Sequence, residues 1–216
     1  MMERRKQSGI PTTRRAFGGL LLSLPLLALG GCGGLPGSGP AARRVRLTAA
    51  DDFPPRMPSV AWTLLVNEPT ATLSLNSAKV AYIGDKKQIE YLATAEWASR
   101  APEMVMELLV ESFQTSNKIL TVGDRRARIR PDFELDTRLS DFQYEETAAN
   151  AGVVRVKLET TLVKRPQRSP LASLSFESSA EVSPRSLDNI LAAFDESLRD
   201  VMEQTVEWTL QTGASA

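Results

Sequence analysis

Cys32 is the only cysteine in the chain, and the chain has no histidine. Those two counts narrow the available chemistry before any fold is considered. A single thiol cannot close an internal disulfide. Without histidine or further cysteines the usual zinc ligand sets are absent. Serine–histidine and cysteine–histidine catalysis are excluded on the same ground. Carboxylates and the thiol itself remain. Asp132, Glu134 and Asp136 alternate along one segment, which puts all three on the polar face of a strand. They would either converge as the paired acids of a hydrolase or form a solvated strand face, and the second account is the simpler. Glu103, Glu107 and Glu111 recur every fourth residue. On a helix such like charges repel mildly and stay in water. No cofactor and no metal is expected.

The thiol sits in a better-defined context. Residues 1–15 are polar and basic, and Ala16–Gly31 follows as an apolar run of 16 residues containing Pro25. That run is short of the ~20 residues a spanning helix needs. A basic start, a short apolar run and small residues at its end describe an export signal. Leu29-Gly30-Gly31-Cys32 resembles the lipobox of bacterial lipoproteins. Small side chains admit the signal peptidase, and the cysteine thiol is the nucleophile that takes the lipid. Upstream, Arg14, Arg15 and Phe17 resemble a twin-arginine export signal, with Gly18 departing from it. The same arginines equally serve the basic region of a general secretory signal. Gly33 follows the cysteine, where aspartate often retains a lipoprotein at the inner membrane, so the outer membrane is the expected destination.

Charge points the same way. The chain carries 26 basic and 26 acidic residues. Residues 1–31 hold five of the basic ones and one acid, so 21 basic and 25 acidic residues remain downstream, a net −4. A mildly acidic body lacks the footprint of a nucleic-acid binder. After Cys32, Gly33–Pro40 is rich in Gly, Pro and Ser and reads as a flexible tether. Asp51–Pro58 is irregular and proline-bearing. The domains expected are therefore a signal peptide at 1–31, a lipidated N-terminus and tether at 32–59, and a folded domain at 60–212.

The elements of that domain follow from periodicity. Trp62–Val66 reads as a strand. Ala78–Ile83 and Gln88–Ala93 flank a hairpin turn at Gly84–Lys87. Pro102 opens a helix over 101–116 that Asn117 closes, with Val105, Leu108, Leu109 and Phe113 on its apolar face. Ile119–Val122 is a short strand, followed by the basic turn Gly123–Arg130. Asp132–Leu139 alternates, and its phase slips by one at Phe142 and Tyr144, which implies a bulge near Ser140-Asp141. Gly152–Lys164 and Leu171–Val182 alternate in turn. Ser183-Pro184 would cap a last helix whose apolar residues run from Leu187 to Leu210. The expected fold class is α+β: an antiparallel sheet with two main helices packed on one face, after the signal peptide and tether.

Glu90-Tyr91-Leu92-Ala93-Thr94-Ala95-Glu96-Trp97-Ala98, then Pro102 and a helix ending near Phe113, together with Ala192-Ala193-Phe194-Asp195 and Trp208, resemble the ABC-type transport auxiliary lipoproteins. The resemblance covers roughly Trp62–Leu210. It implies a non-enzymatic, membrane-tethered periplasmic subunit of a transporter for phospholipids or similar molecules. Its implied partners are a mammalian-cell-entry type substrate-binding protein, an ABC permease and an ATPase. The membrane would be engaged through the N-terminal lipid, and assembly into a homo-oligomer is compatible. A lipoprotein activating another envelope machine, in cell-wall synthesis or outer-membrane assembly, is the alternative. Trp97, after a strand and before a helix, is either a core anchor or a partner-facing aromatic.

Overall fold

The computed structural model describes residues 41–84 and 86–216. The signal peptide, Arg14, Arg15, Phe17, Cys32 and the Gly33–Pro40 tether lie outside the described residues. The strands are β1 (Arg43–Val45), β2 (Val60–Val66), β3 (Thr70–Ala71), β4 (Lys79–Ile83), β5 (Ile89–Trp97), β6 (Ile119–Gly123), β7 (Phe133–Ala148), β8 (Ala151–Lys164) and β9 (Ser169–Val182). The helices are α1 (Ala101–Ser116) and α2 (Leu187–Ala214), with a single 3-10 turn at Arg125–Ala127. All belong to one compact unit spanning Gly39–Ala216.

β7 organises the sheet. Its 16 residues would run about 50 Å at the rise of an extended chain. β8 pairs antiparallel with it from Phe133 to Ala148, and β9 pairs antiparallel with β8. Three short strands share its other edge in tandem. β2 meets Phe133–Leu135, β3 meets Arg138–Leu139 and β4 meets Gln143–Glu145, all parallel to β7. β6 adds to β2, and β5 and then β1 add beyond β4.

The expected antiparallel sheet is therefore wrong. Among the described residues five strand pairings are parallel and three are antiparallel. The local hairpins β4–β5, β7–β8 and β8–β9 are antiparallel because their connections are short. β2, β3, β4 and β6 reach their partners through longer excursions, and α1 carries the chain from β5 to β6. Such crossovers return the chain in the same direction. Alternation of side chains gives the face of a strand but not its partner.

The phase slip does mark a bulge. Leu139 pairs with Leu158 and Asp141 with Lys157, which leaves Ser140 as the extra residue. Leu135 and Leu139 before the bulge, and Phe142 and Tyr144 after it, are all buried. The bulge keeps one apolar face on a strand whose sequence changes phase. Those side chains share one core with Val105, Leu108, Leu109 and Phe113 of α1 and with Ile190, Phe194, Leu198, Val201, Met202, Val206 and Leu210 of α2.

The ends of the elements follow local rules. Asn117 closes α1 in the left-handed conformation at φ 53°. α2 is capped by Ser186, whose hydroxyl accepts from the Asn189 N–H at 3.2 Å, rather than by the expected Ser183. The body also starts earlier than the expected Val60. Arg43–Val45 pairs with β5, and Leu47, Ala50 and Met57 are buried.

At the β7–β8 turn a Cβ on Gly152 would collide with the Glu145 carbonyl and the Tyr144 hydroxyl. Gly152→Ala should cost about 1–3 kcal/mol, read as a melting temperature lower by roughly 2–4 °C for each kcal/mol in a chain of this size. An unchanged melt would show that this turn has room to relax.

Candidate functional site

Trp97 is 1% exposed, so no partner reaches it. Its ring lies 5.2 Å from Phe142 and 5.1 Å from Phe194, and those two rings are 5.0 Å apart. This aromatic trio joins β5, β7 and α2. Such pairs contribute beyond the area they bury. Trp97 is a core anchor, and the partner-contact reading of it is corrected by its burial.

The three carboxylates do not form one site. The Asp132 side chain accepts the Thr63 N–H at 2.8 Å. Glu134 is 8% exposed, with Arg165 Nε at 3.3 Å and Arg168 Nη2 at 3.6 Å. Asp136 accepts from Asn67 Nδ2 at 2.6 Å. Arg168 Nη2 also stands 3.9 Å from Asp136, so it bridges Glu134 and Asp136, while Asp132 is held separately by the Thr63 N–H. The acidic row of α1 is answered in the same way. Arg126 lies 3.7 and 3.6 Å from Glu103 and Glu107, and Arg46 bonds Glu111 at 2.6 Å. Among the described residues no group of three or more His, Cys, Asp or Glu is placed to hold a metal ion. No helix among them is long and apolar enough to cross a membrane.

The segment that leads in from the N-terminus is built into the helical layer. Residues 43–58 form a strap that is fastened alternately to α2 and α1. Arg43 bonds Asp188 at 2.6 Å and Arg46 bonds Glu111. The Thr48 N–H and hydroxyl both donate to Asp195 at 2.7 Å. The Ala50 N–H donates to Ser112 Oγ at 2.9 Å, and that hydroxyl donates to the Leu108 carbonyl at 2.7 Å. Arg199 bonds Asp51 at 2.5 Å. The exposed ion pairs contribute little each. The buried Ala50–Ser112 bond matters more, because an orphaned N–H there would have no water. A length read as tether thus carries load into both helices. The apolar Val45, Leu47 and Met57 within it were the available signal.

Two further clusters lie outside the expected residues. Tyr82 donates its hydroxyl to Glu146, and Arg185 bonds Glu146 at 2.7 Å. The Arg185 guanidinium stands 5.0 Å from the Tyr82 ring and 5.9 Å from that of Tyr144. The Glu146 hydrogen bond and then burial push the Tyr82 hydroxyl above its ordinary pKa, and burial does the same to Tyr144. Burial works against the Arg185 charge, but the charges of Tyr82 and Glu146 outweigh it and raise its pKa. This cluster pins the β9–α2 connection onto β4 and β7. On α2, a groove of about 380 Å³ is lined by Asp52, Asp195, Glu196, Arg199, Asp200 and Glu203. Burial first, then Asp52, Asp200 and Asp51, push the Glu203 carboxyl up, against the opposing pull of Arg199.

Among the described residues the strap, the sheet and the two helices form one packed body. The chain belongs to the family of ABC-type transport auxiliary lipoprotein components, whose model matches residues 47–206. It is an auxiliary, non-catalytic cell-envelope component of an ABC-type transport system. The match begins inside the strap, so the strap is part of the family's body. Protein XCC0632 from Xanthomonas campestris, of the DUF330 family, is similar at 26% identity and a TM-score of 0.75. That match covers 81% of this chain and 98% of the other. The crystal structure of an uncharacterized protein shares the fold at 13% identity and a TM-score of 0.62, covering 77% and 97%. No curated protein matches the sequence.

Ser112→Ala should leave the Ala50 N–H buried without a partner and cost about 1–3 kcal/mol. Protease cleavage within residues 46–58 should rise together with the drop in melting temperature. A melt lowered without new cleavage would show that Ser112 supports α1 alone. Glu203 has a folded pKa above its unfolded one. Its contribution is present below the ordinary carboxylate range and is lost as pH rises through the raised value, so at neutral pH its charge costs stability. Glu203→Gln should melt higher than the parent at pH 7 and alike at pH 4. A melt lower at pH 7 would reverse that sign.

Proposed function

We propose that the chain is the lipid-anchored periplasmic subunit of a mammalian-cell-entry type ABC transporter for phospholipids or similar hydrophobic molecules. The match of residues 47–206 to the auxiliary lipoprotein family carries this reading. The Leu29–Cys32 lipobox supplies the anchor. Each buried methylene of an acyl chain contributes ~0.8 kcal/mol, so two or three chains hold a protein on one leaflet. Gly33 after the cysteine favours the outer membrane. The mechanism is tethering and docking. The anchor fixes the chain to one membrane, the strap transmits that attachment to both helices, and the body engages the periplasmic substrate-binding protein. Permease and ATPase are separate chains in this reading, as the family resemblance implies.

The test is recovery of the full-length chain from crosslinked native envelopes. The expected result is co-recovery of a mammalian-cell-entry type protein with its permease or ATPase. Cys32→Ser should leave the export signal intact but release the body from the membrane fraction. Efficient recovery of the chain with none of these transporter proteins would contradict the proposal.

A further inference from the structure

The sheet has one face covered by α1 and α2. Its other face is mostly charged, carrying Arg155, Lys157 and Glu177 in mutual ion pairs. One region of that face is different. Six large apolar side chains are exposed among the described residues; of these Ile89 lines a hollow, Tyr91 lies two residues along β5, and Leu73 sits in the turn between Thr72 and Ser74, which line the same hollow. The hollow has a volume of about 220 Å³, with Leu75, Ala81, Ile83 and Ile89 on one part of its wall and Thr72, Ser74, Ser140, Asp141 and Gln143 on the rest. Leu73 is 92% exposed and Ile89 52%. The turn that presents Leu73 is fastened to this patch, because the Tyr91 hydroxyl donates to the Ser74 carbonyl at 3.2 Å. Lys79 stands 5.3 Å over the Tyr91 ring, and Lys86 and Lys87 are exposed at the adjoining hairpin tip. Exposed Leu73, Ile89 and Tyr91 with lysines at their margin suit the boundary between acyl chains and headgroups.

The position of this patch says which surface it meets. β1 runs parallel to β5, with Arg43 opposite Ala95 and Val45 opposite Trp97. Followed back from Arg43, the line of β1 therefore runs alongside β5 toward Tyr91 and Ile89. The nine peptide steps from Cys32 to Ala41 span at most about 30 Å. A lipid on Cys32 keeps the bilayer within that distance of this edge. Leu120 on β6 is also exposed, at 68%, but it lies near the opposite end of β7. Ile89 is level with Glu145 and Leu120 lies beyond Phe133, which separates them by roughly 40–50 Å along the sheet.

We propose that the patch of Leu73, Ile83, Ile89 and Tyr91, with Lys79, Lys86 and Lys87 at its margin, rests on the bilayer surface that holds the anchor. This rests on the lipidation of Cys32. The contact fixes the orientation of the body: the β4–β5 hairpin faces the lipid, and the β6 end with the Arg125–Arg130 loop points away from it.

Lipidated full-length protein carrying Ile89→Cys or Leu120→Cys tests it. An acylated Cys32 leaves the new residue as the only free thiol, and both positions are exposed, so the label does not disturb the core. Each variant is labelled with an environment-sensitive fluorophore and reconstituted into vesicles of phosphatidylethanolamine and phosphatidylglycerol, with and without lipid-borne quenchers. The expected result is flotation of both variants, loss of most fluorescence at residue 89 and none at residue 120. Flotation without quenching at residue 89, or with equal quenching at both, overturns the proposal and leaves the anchor standing. Failure of either parent or variants to float removes the anchor, and the proposal with it.

Discussion

The continuous hydrogen bonding of β7 is the constraint on which the rest of the body depends. One strand of 16 residues must satisfy both edges of its backbone. β8 does so along one edge without interruption, apart from two register shifts. The other edge is divided among β2, β3 and β4. The bulge at Ser140 falls between the β3 and β4 contacts, where no strand of the described residues pairs on that side. It therefore costs no ladder bond on that edge, and it resets the apolar face. Without it Phe142 and Tyr144 would point away from α2, and the Phe142–Phe194–Trp97 contact could not form.

From this arrangement comes a division of the molecule into two ends. At the Tyr144 end lie β4, β5, β1, the start of α2 and the entry of the strap. At the Phe133 end lie β2, β6 and the arginine-rich loop. The strap enters at the first end and is hydrogen-bonded to both helices. Several charges elsewhere are matched at short range, as in Arg126 with the α1 glutamates and Arg165 with Glu134.

Much of this was legible in the residues. The bounds of α1 follow from Pro102 and Asn117, and the bulge follows from a one-residue shift of the apolar period. The buried faces of β7 and β8 read directly from alternation. Three features did not. Strand direction was misread because periodicity contains no information about which distant strand supplies the partner. The strap reads as tether by composition, because its prolines and charges outweigh Val45, Leu47 and Met57, and only tertiary contact shows these packed against the core. Trp97 stood open between two roles, since an aromatic between strand and helix suits a core and an interface equally. On the candidate site, alternation puts the carboxylates of the 132–136 strand on one face, and leaves open whether they converge or stand solvated. The donors that engage them, Thr63, Asn67, Arg165 and Arg168, come from other segments.

Everything said of attachment depends on the chemistry of one thiol. The direct measurement is the mass of the first tryptic peptide of the mature protein isolated from envelopes. Cleavage after Arg43 yields residues 32–43. The account predicts a chain that begins at Cys32 and carries the mass of a diacylglyceryl group, with or without an added amide-linked acyl chain. A mature N-terminus at another residue, or an unmodified Cys32, would contradict it.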